Sequence, residues 1–215
     1  MKTLPFRQIH LDFHTSEDIS GIGSRYSSES FRQALRDAHV DSITLTAKCH
    51  HGWMYYPSAR NAPHPHLDCD LLGNMISDAR KEGVHVIVYV SAGYDERQAL
   101  EHPEWLMRNA DESLNTTPDF LHPGYHQFCQ NSPYQDVLMA QIEDVLSTFK
   151  VDGLFLDIVG ERECYCNNCI RTARERGIDP RDKAAMQPLW RENYRNYINR
   201  VQETVDHIQP GIEIF

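Results

Sequence analysis

The sequence predicts an α/β fold built on a parallel sheet, specifically the N-terminal part of a (β/α)8 TIM barrel. Three observations carry this. Strand-like and helix-like segments alternate along the chain. The connections before the strands, at Val40, Gly83 and Lys150, are very short. Those after them, at 14–27, 49–70, 93–131 and 160–169, are long and rich in His, Tyr, Trp, Asp and Cys, as on the functional face of a barrel.

The elements follow in order. Residues 7–14 alternate Ile9, Leu11 and Phe13 with His10, Asp12 and His14, a strand pattern. Residues 28–39 place Phe31, Leu35 and Ala38 on one helical face. A second strand covers 41–48, a helix 71–82 ends at Gly83, and a third strand covers 84–91. A helix over 132–149 leads to a fourth strand, 151–157. A short helix over 169–176 stops at Gly177, a long one runs from Pro188 to Ile208, and 212–215 begins a fifth strand. The order suits right-handed parallel crossovers in one domain, residues 1–215. A doubly wound sheet is the alternative, but Gly21 and Gly23 lack the rest of the glycine-rich turn it would want. A full barrel takes about 250 residues, so about four and a half βα units are expected here. A compact five-stranded α/β domain, complete as written, is the competing reading.

Composition narrows the function. The net charge of −10 argues against nucleic acid or an anionic membrane as partner. No run approaches the roughly 20 apolar residues of a membrane span. The first residues, M-K-T-L-P-F-R-Q, hold too short an apolar stretch for a secretory signal, so the cytoplasm is the expected compartment. Six cysteines without a signal read as thiols or metal ligands. Unpaired strand edges lead us to expect a homo-oligomer or an unstable fragment.

Cys164, Cys166 and Cys169, in C-Y-C-N-N-C, can reach one ion from a single turn, with Cys129 as fourth ligand. Four thiolates suit a structural Zn²⁺. Asp157 ends the fourth strand. It shares a side with Gly153 and Phe155, opposite Leu154 and Leu156, which places its carboxylate in the central cup. Glu161 and Glu163 are candidates for a second carboxylate. Lys48, His50, His51, Trp53, Tyr55 and Tyr56 gather hydrogen-bonding groups and flat apolar faces in one stretch, which is what a sugar ring requires. His10, Asp12 and His14 could instead ligate a catalytic metal, as in an amidohydrolase-type enzyme, or simply fill the interior. His64 and His66 read as loop residues, Cys49 as a packed strand end and Cys69 as a loop thiol. A non-catalytic sugar-binding module is a third reading.

T-A-K-C-H-H-G-W-M-Y-Y-P-S, followed by D-L-L-G-N-M-I-S-D-A-R-K-E-G-V and V-Y-V-S, resembles the second-to-third-strand stretch of the α-L-fucosidases of glycoside hydrolase family 29. V-D-G-L-F-L-D resembles that family's fourth strand, whose terminal Asp is the nucleophile. The resemblance implies a retaining glycosidase acting on carbohydrate, with Asp157 as nucleophile and His14, His50, His51 and Trp53 on the sugar. It also implies a general acid/base from a later strand or loop. The family's second His-Asp is His51-Gly52 here, and its Phe is Trp53. F-C-Q-N-S-P-Y and C-Y-C-N-N-C resemble the zinc knot of the family 42 β-galactosidases, although the catalytic Asn-Glu of that fourth strand is absent at Asp157. The whole chain most resembles the hypothetical glycosyl hydrolase 6 family, which combines both features.

Overall fold

The structure, a computed structural model, describes residues 5–116 and 124–215. The first four residues of the N-terminal run therefore lie outside the described residues, as does part of the long loop after the third strand. Five strands, β1 (Gln8–Leu11), β2 (Ser42–Lys48), β3 (His85–Ser91), β4 (Gly153–Asp157) and β5 (Glu213–Ile214), form one sheet in the order β1-β2-β3-β4-β5. Every pairing is parallel. The order never reverses, so the switch point of a doubly wound sheet is missing among the described strands.

The helices are α1 (Ser28–Asp37), α2 (Leu71–Lys81), α3 (Glu96–Glu101), α4 (Tyr134–Thr148), α5 (Asn167–Glu175) and α6 (Lys183–Ile208). Side-chain alternation divides the sheet into two faces. Ile43, Leu45, Val86, Val88, Leu154 and Leu156 pack into the main core with Leu35 of α1, Leu72 and Met75 of α2, Leu138 and Ile142 of α4 and Val201 of α6. Thr44, Thr46, Tyr89, Ser91, Phe155 and Asp157 belong to the other face. Both faces of β2 are buried, so β2 lacks the polar alternation of a surface strand. A register irregularity between Thr46 and Lys48 sets Lys48 opposite Val90.

Three expectations need correction. The first strand stops at Leu11 rather than His14, because side chains replace the ladder: Phe13 N–H donates to Thr46 Oγ1 and Thr15 N–H to Tyr55 Oη. Among its described residues the loop over 93–131 contains a short helix, α3, and a 3₁₀ turn at Pro103–Trp105; α3 is started by Asp95, whose Oδ1 accepts from Gln98 N–H at 3.1 Å. The long helix begins at Lys183, with Pro188 inside it. Asp182 caps it by accepting from Ala184 and Ala185, and Met186, buried with Leu189 and Trp190, anchors the additional turn against Ala173 of α5. That packing offsets the backbone bond Pro188 cannot donate.

Candidate functional site

Asp157 closes β4 and lies opposite Ser91 of β3. Its side chain is 33% exposed. Tyr89 Oη donates to Asp157 Oδ2 at 2.7 Å, and the N–H of Ile158 donates to Oδ1 at 2.7 Å. One carboxylate oxygen is thus held from the neighbouring strand and the other by the next residue. Ile158 has φ of 59°, a left-handed conformation costly for a β-branched residue. The Asp157 carbonyl accepts from Ala92 and Gly93 N–H, and a Cβ on Gly93 would collide with the Ile158 carbonyl. Backbone strain therefore sits immediately after the carboxylate, against a residue with no side chain.

The segment after β1 and the loop after β2 bring two imidazoles to the same place. His14 and His50 stack with centroids 3.7 Å apart and planes 17° from parallel. His14 Nε2 lies 2.8 Å from Asp12 Oδ1, and His14 Nδ1 accepts from the His50 N–H at 3.1 Å. Both ring nitrogens of His14 are thus engaged within the protein, which argues against a metal at His10, Asp12 and His14. His50 Nδ1 lies 2.7 Å from Ser91 Oγ, and His50 Nε2 is 4.0 Å from Asp157 Oδ2. Burial pushes the His50 pKa down to about 4, against the opposing pull of Asp157 and Asp12. Burial and then the bond to Asp157 push the Tyr89 phenol up.

Aromatic rings wall the site. Tyr94 and Tyr125 meet the His50 ring edge-on at 5.0 and 4.8 Å. Below Asp157, His10 contacts Tyr89 and Phe155 at 5.4 and 5.2 Å. His51 stands at the rim, its Nε2 3.3 Å from Tyr125 Oη, and burial lowers its pKa. Trp53 lies further out, with the Arg97 guanidinium 5.0 Å over its ring and Glu17 accepting from its Nε1 at 3.4 Å. Tyr89, Ser91, Tyr94 and Tyr125 were not singled out from sequence. Tyr89 and Ser91 had a usable signal, since they alternate along β3 on the face that Asp157 shares.

Two sequence-predicted contact residues lie elsewhere. Lys48 is fully buried: its ammonium pairs with Asp95 Oδ2 at 2.9 Å and contacts the carbonyls of Ser91 and Tyr94 and the hydroxyl of Tyr134. Burial pushes its pKa down and Asp95 opposes that shift. No donor is left for a ligand. Gly52, at φ of 91°, lets the His50 loop pass against this pair, because a Cβ there would collide with Asp95 Oδ1. Tyr56 is also buried and donates to Asp144 Oδ2 at 2.6 Å, away from Asp157. Glu161 and Glu163 turn outward to Arg191 and Lys183, so neither supplies a carboxylate opposite Asp157.

Cys129, Cys164, Cys166 and Cys169 are buried together, with Sγ atoms all within 4.8 Å of one another. The 3.4 Å between Cys129 and Cys169 Sγ is far beyond the length of a disulfide. Tetrahedral metal–sulfur bonds of about 2.3 Å place sulfurs about 3.8 Å apart, so the cluster fits a single ion. Asn131 N–H points to Cys129 Sγ and Asn193 Nδ2 to Cys169 Sγ, donors that favour thiolates. Cys129 precedes α4 and the other three follow β4, so such an ion would join the two loops flanking Asp157.

A parallel β/α sheet with a carboxylate, paired imidazoles and aromatic rings at the C-terminal ends of its strands defines an enzyme-like β/α protein. Comparison narrows the class. Residues 27–158 match the family described as hypothetical glycosyl hydrolase 6. Alpha-L-fucosidase isoenzyme 2 from Paenibacillus thiaminolyticus superimposes with a TM-score of 0.95 and 48% identity, over 99% of this chain and 32% of that one. The chain thus spans about a third of that fucosidase. A beta-galactosidase from the psychrophilic Marinomonas ef1 shares the fold at a TM-score of 0.68 and 10% identity, covering 97% of this chain and 36% of its own. A hypothetical protein from Ruminiclostridium thermocellum shares it at 0.59 and 11% identity, over 87% of this chain and 88% of its own. Comparison with curated proteins returns no match. The chain belongs to the hypothetical glycosyl hydrolase 6 family.

Proposed function

We propose that residues 1–215 are the nucleophile-bearing part of a retaining glycoside hydrolase of the α-L-fucosidase type, the sheet being an arc of a (β/α)8 barrel. The observation that carries this is the setting of Asp157: a partly exposed carboxylate at a strand tip, held by Tyr89 and Ile158 beside the His14–His50 stack. The 48% identity to a fucosidase supports the same reading.

In this mechanism Asp157 attacks the anomeric carbon. The glycosidic C–O bond breaks, and its electron pair leaves on the aglycone oxygen, which takes a proton from a second acid. Water then attacks the same carbon, loses a proton to the conjugate base of that acid, and frees Asp157 and a sugar of retained configuration. His50 and His51 hydrogen-bond hydroxyls, His14 has both ring nitrogens occupied and acts by stacking on His50, and Trp53 offers a ring face. Lys48 and Tyr56 serve the scaffold. Cys129, Cys164, Cys166 and Cys169 would hold a structural Zn²⁺, whose four bonds would tie together the loops around Asp157 and leave no open position for substrate.

The test, on the full-length protein that supplies the second acid, is a 2-deoxy-2-fluoro-α-L-fucosyl reagent followed by peptide mass spectrometry, alongside Asp157→Asn. An adduct on Asp157 and a large loss of turnover in the variant are expected. Unchanged turnover in Asp157→Asn would end the assignment.

A further inference from the structure

Hydrogen bonding fixes the proton positions on the two stacked imidazoles. A main-chain carbonyl accepts and never donates. Tyr94 O lies 2.9 Å from Ser91 Oγ, so the one hydroxyl proton of Ser91 points there. Ser91 must then accept at its 2.7 Å contact with His50 Nδ1, which places the His50 proton on Nδ1. The Tyr89 hydroxyl, whose proton goes to Asp157, presents only a lone pair toward the same nitrogen at 3.5 Å. His50 Nε2 is left with a lone pair, and this is the nitrogen facing Asp157 Oδ2. Lys48 Nζ, 3.1 Å from Tyr94 O, and its partner Asp95 keep that carbonyl in place. His14 has the opposite arrangement: its Nδ1 accepts from His50 N–H, so its proton sits on Nε2 toward Asp12.

We infer that Ser91, fully buried and out of reach of any ligand, is the positioning residue that makes His50 a hydrogen-bond acceptor, so that the site selects a ligand hydroxyl donating to His50 Nε2 beside Asp157. The ligand class is a polyol with a free hydroxyl at that point. A deoxy, fluoro or O-methyl analogue cannot supply the proton. The bearing on catalysis rests on the glycosidase reading; the proton placement does not.

The experiment is a long-range proton–nitrogen correlation spectrum of the histidine-labelled native protein near pH 6. The expected pattern for His50 is a pyrrole-like Nδ1 and a pyridine-like Nε2. A proton on Nε2 would overturn the inference. Ser91→Ala should abolish the preference at His50 and leave the His14 pattern and the circular dichroism unchanged. Its KM for nitrophenyl α-L-fucoside should rise about tenfold, the effect of one hydrogen bond. A fully retained Nδ1–H form in folded Ser91→Ala would also overturn it. If Ser91→Ala does not fold, the native spectrum alone decides whether His50 is an acceptor. Absence of turnover in the longer protein that carries the second acid would count against the glycosidase reading and leave the spectral result standing.

Discussion

Tyr89 and Asp157 face each other across neighbouring parallel strands, the phenol donating to one carboxylate oxygen at 2.7 Å. The Tyr89 side chain is fully buried and that of Asp157 is partly exposed, so the bond joins the interior to the site.

Tyr89→Phe keeps the ring packing against His10 and Phe155 and removes only that donor. A hydrogen bond to a charged group contributes about 1.5–3 kcal/mol. In the proposed reaction the variant should lose about 10- to 100-fold in kcat with KM little changed, measured by steady-state kinetics.

Lys48→Met leaves Asp95 buried without its cation. Breaking such a pair costs about 3–5 kcal/mol. Urea unfolding of Lys48→Met should show a loss of this size. Adding Asp95→Asn should recover part of it, since the uncompensated charge is then gone. Full additivity of the two changes would mean that the 2.9 Å contact does not couple them.

His50 links stability to acidity. Its folded pKa, about 4, lies below the ordinary 6.5 of the unfolded chain. The contribution is therefore fully present above pH 6.5 and is lost as pH falls through about 4, because the unfolded chain takes up the proton first. A shift of this size corresponds to about 3 kcal/mol at most. Unfolding free energy measured from pH 7 to pH 4 should fall accordingly, and His50→Gln should flatten that slope.

The cysteine cluster should hold about one zinc per chain, measured by elemental analysis. Cys169→Ser should lower the metal content and the unfolding temperature together. Brief exposure to a mild chelator should leave turnover unchanged. Rapid loss of activity without unfolding would place the ion in the chemistry instead.

The parts of the fold that could be read from sequence were those with strict periodicity. The alternation in β4 separates Leu154 and Leu156 from Phe155 and Asp157, and the structure keeps that division. The cysteine spacing was equally direct, since the three thiols of C-Y-C-N-N-C are near neighbours in the chain. Lys48 was misplaced because Asp95, the partner that draws it inward, lies on another loop far along the chain. Tyr56 was misplaced for the same reason, with Asp144 on α4 as its acceptor. Tyr125 joins the site by folding back from a long loop, and no local pattern announces such a return. Pro188 misled through its intrinsic preference, which the burial of Met186 overrides.

Cys129 and Cys169 stand 40 positions apart, and the segment between them contains both α4 and β4. An ion gripping both ends would act as a cross-link on the denatured ensemble, cutting the entropy lost when that segment closes. Refolding with the metal present would then start from a tethered ring already enclosing the Asp157 strand, whereas the apo chain would have to find that closure by diffusion.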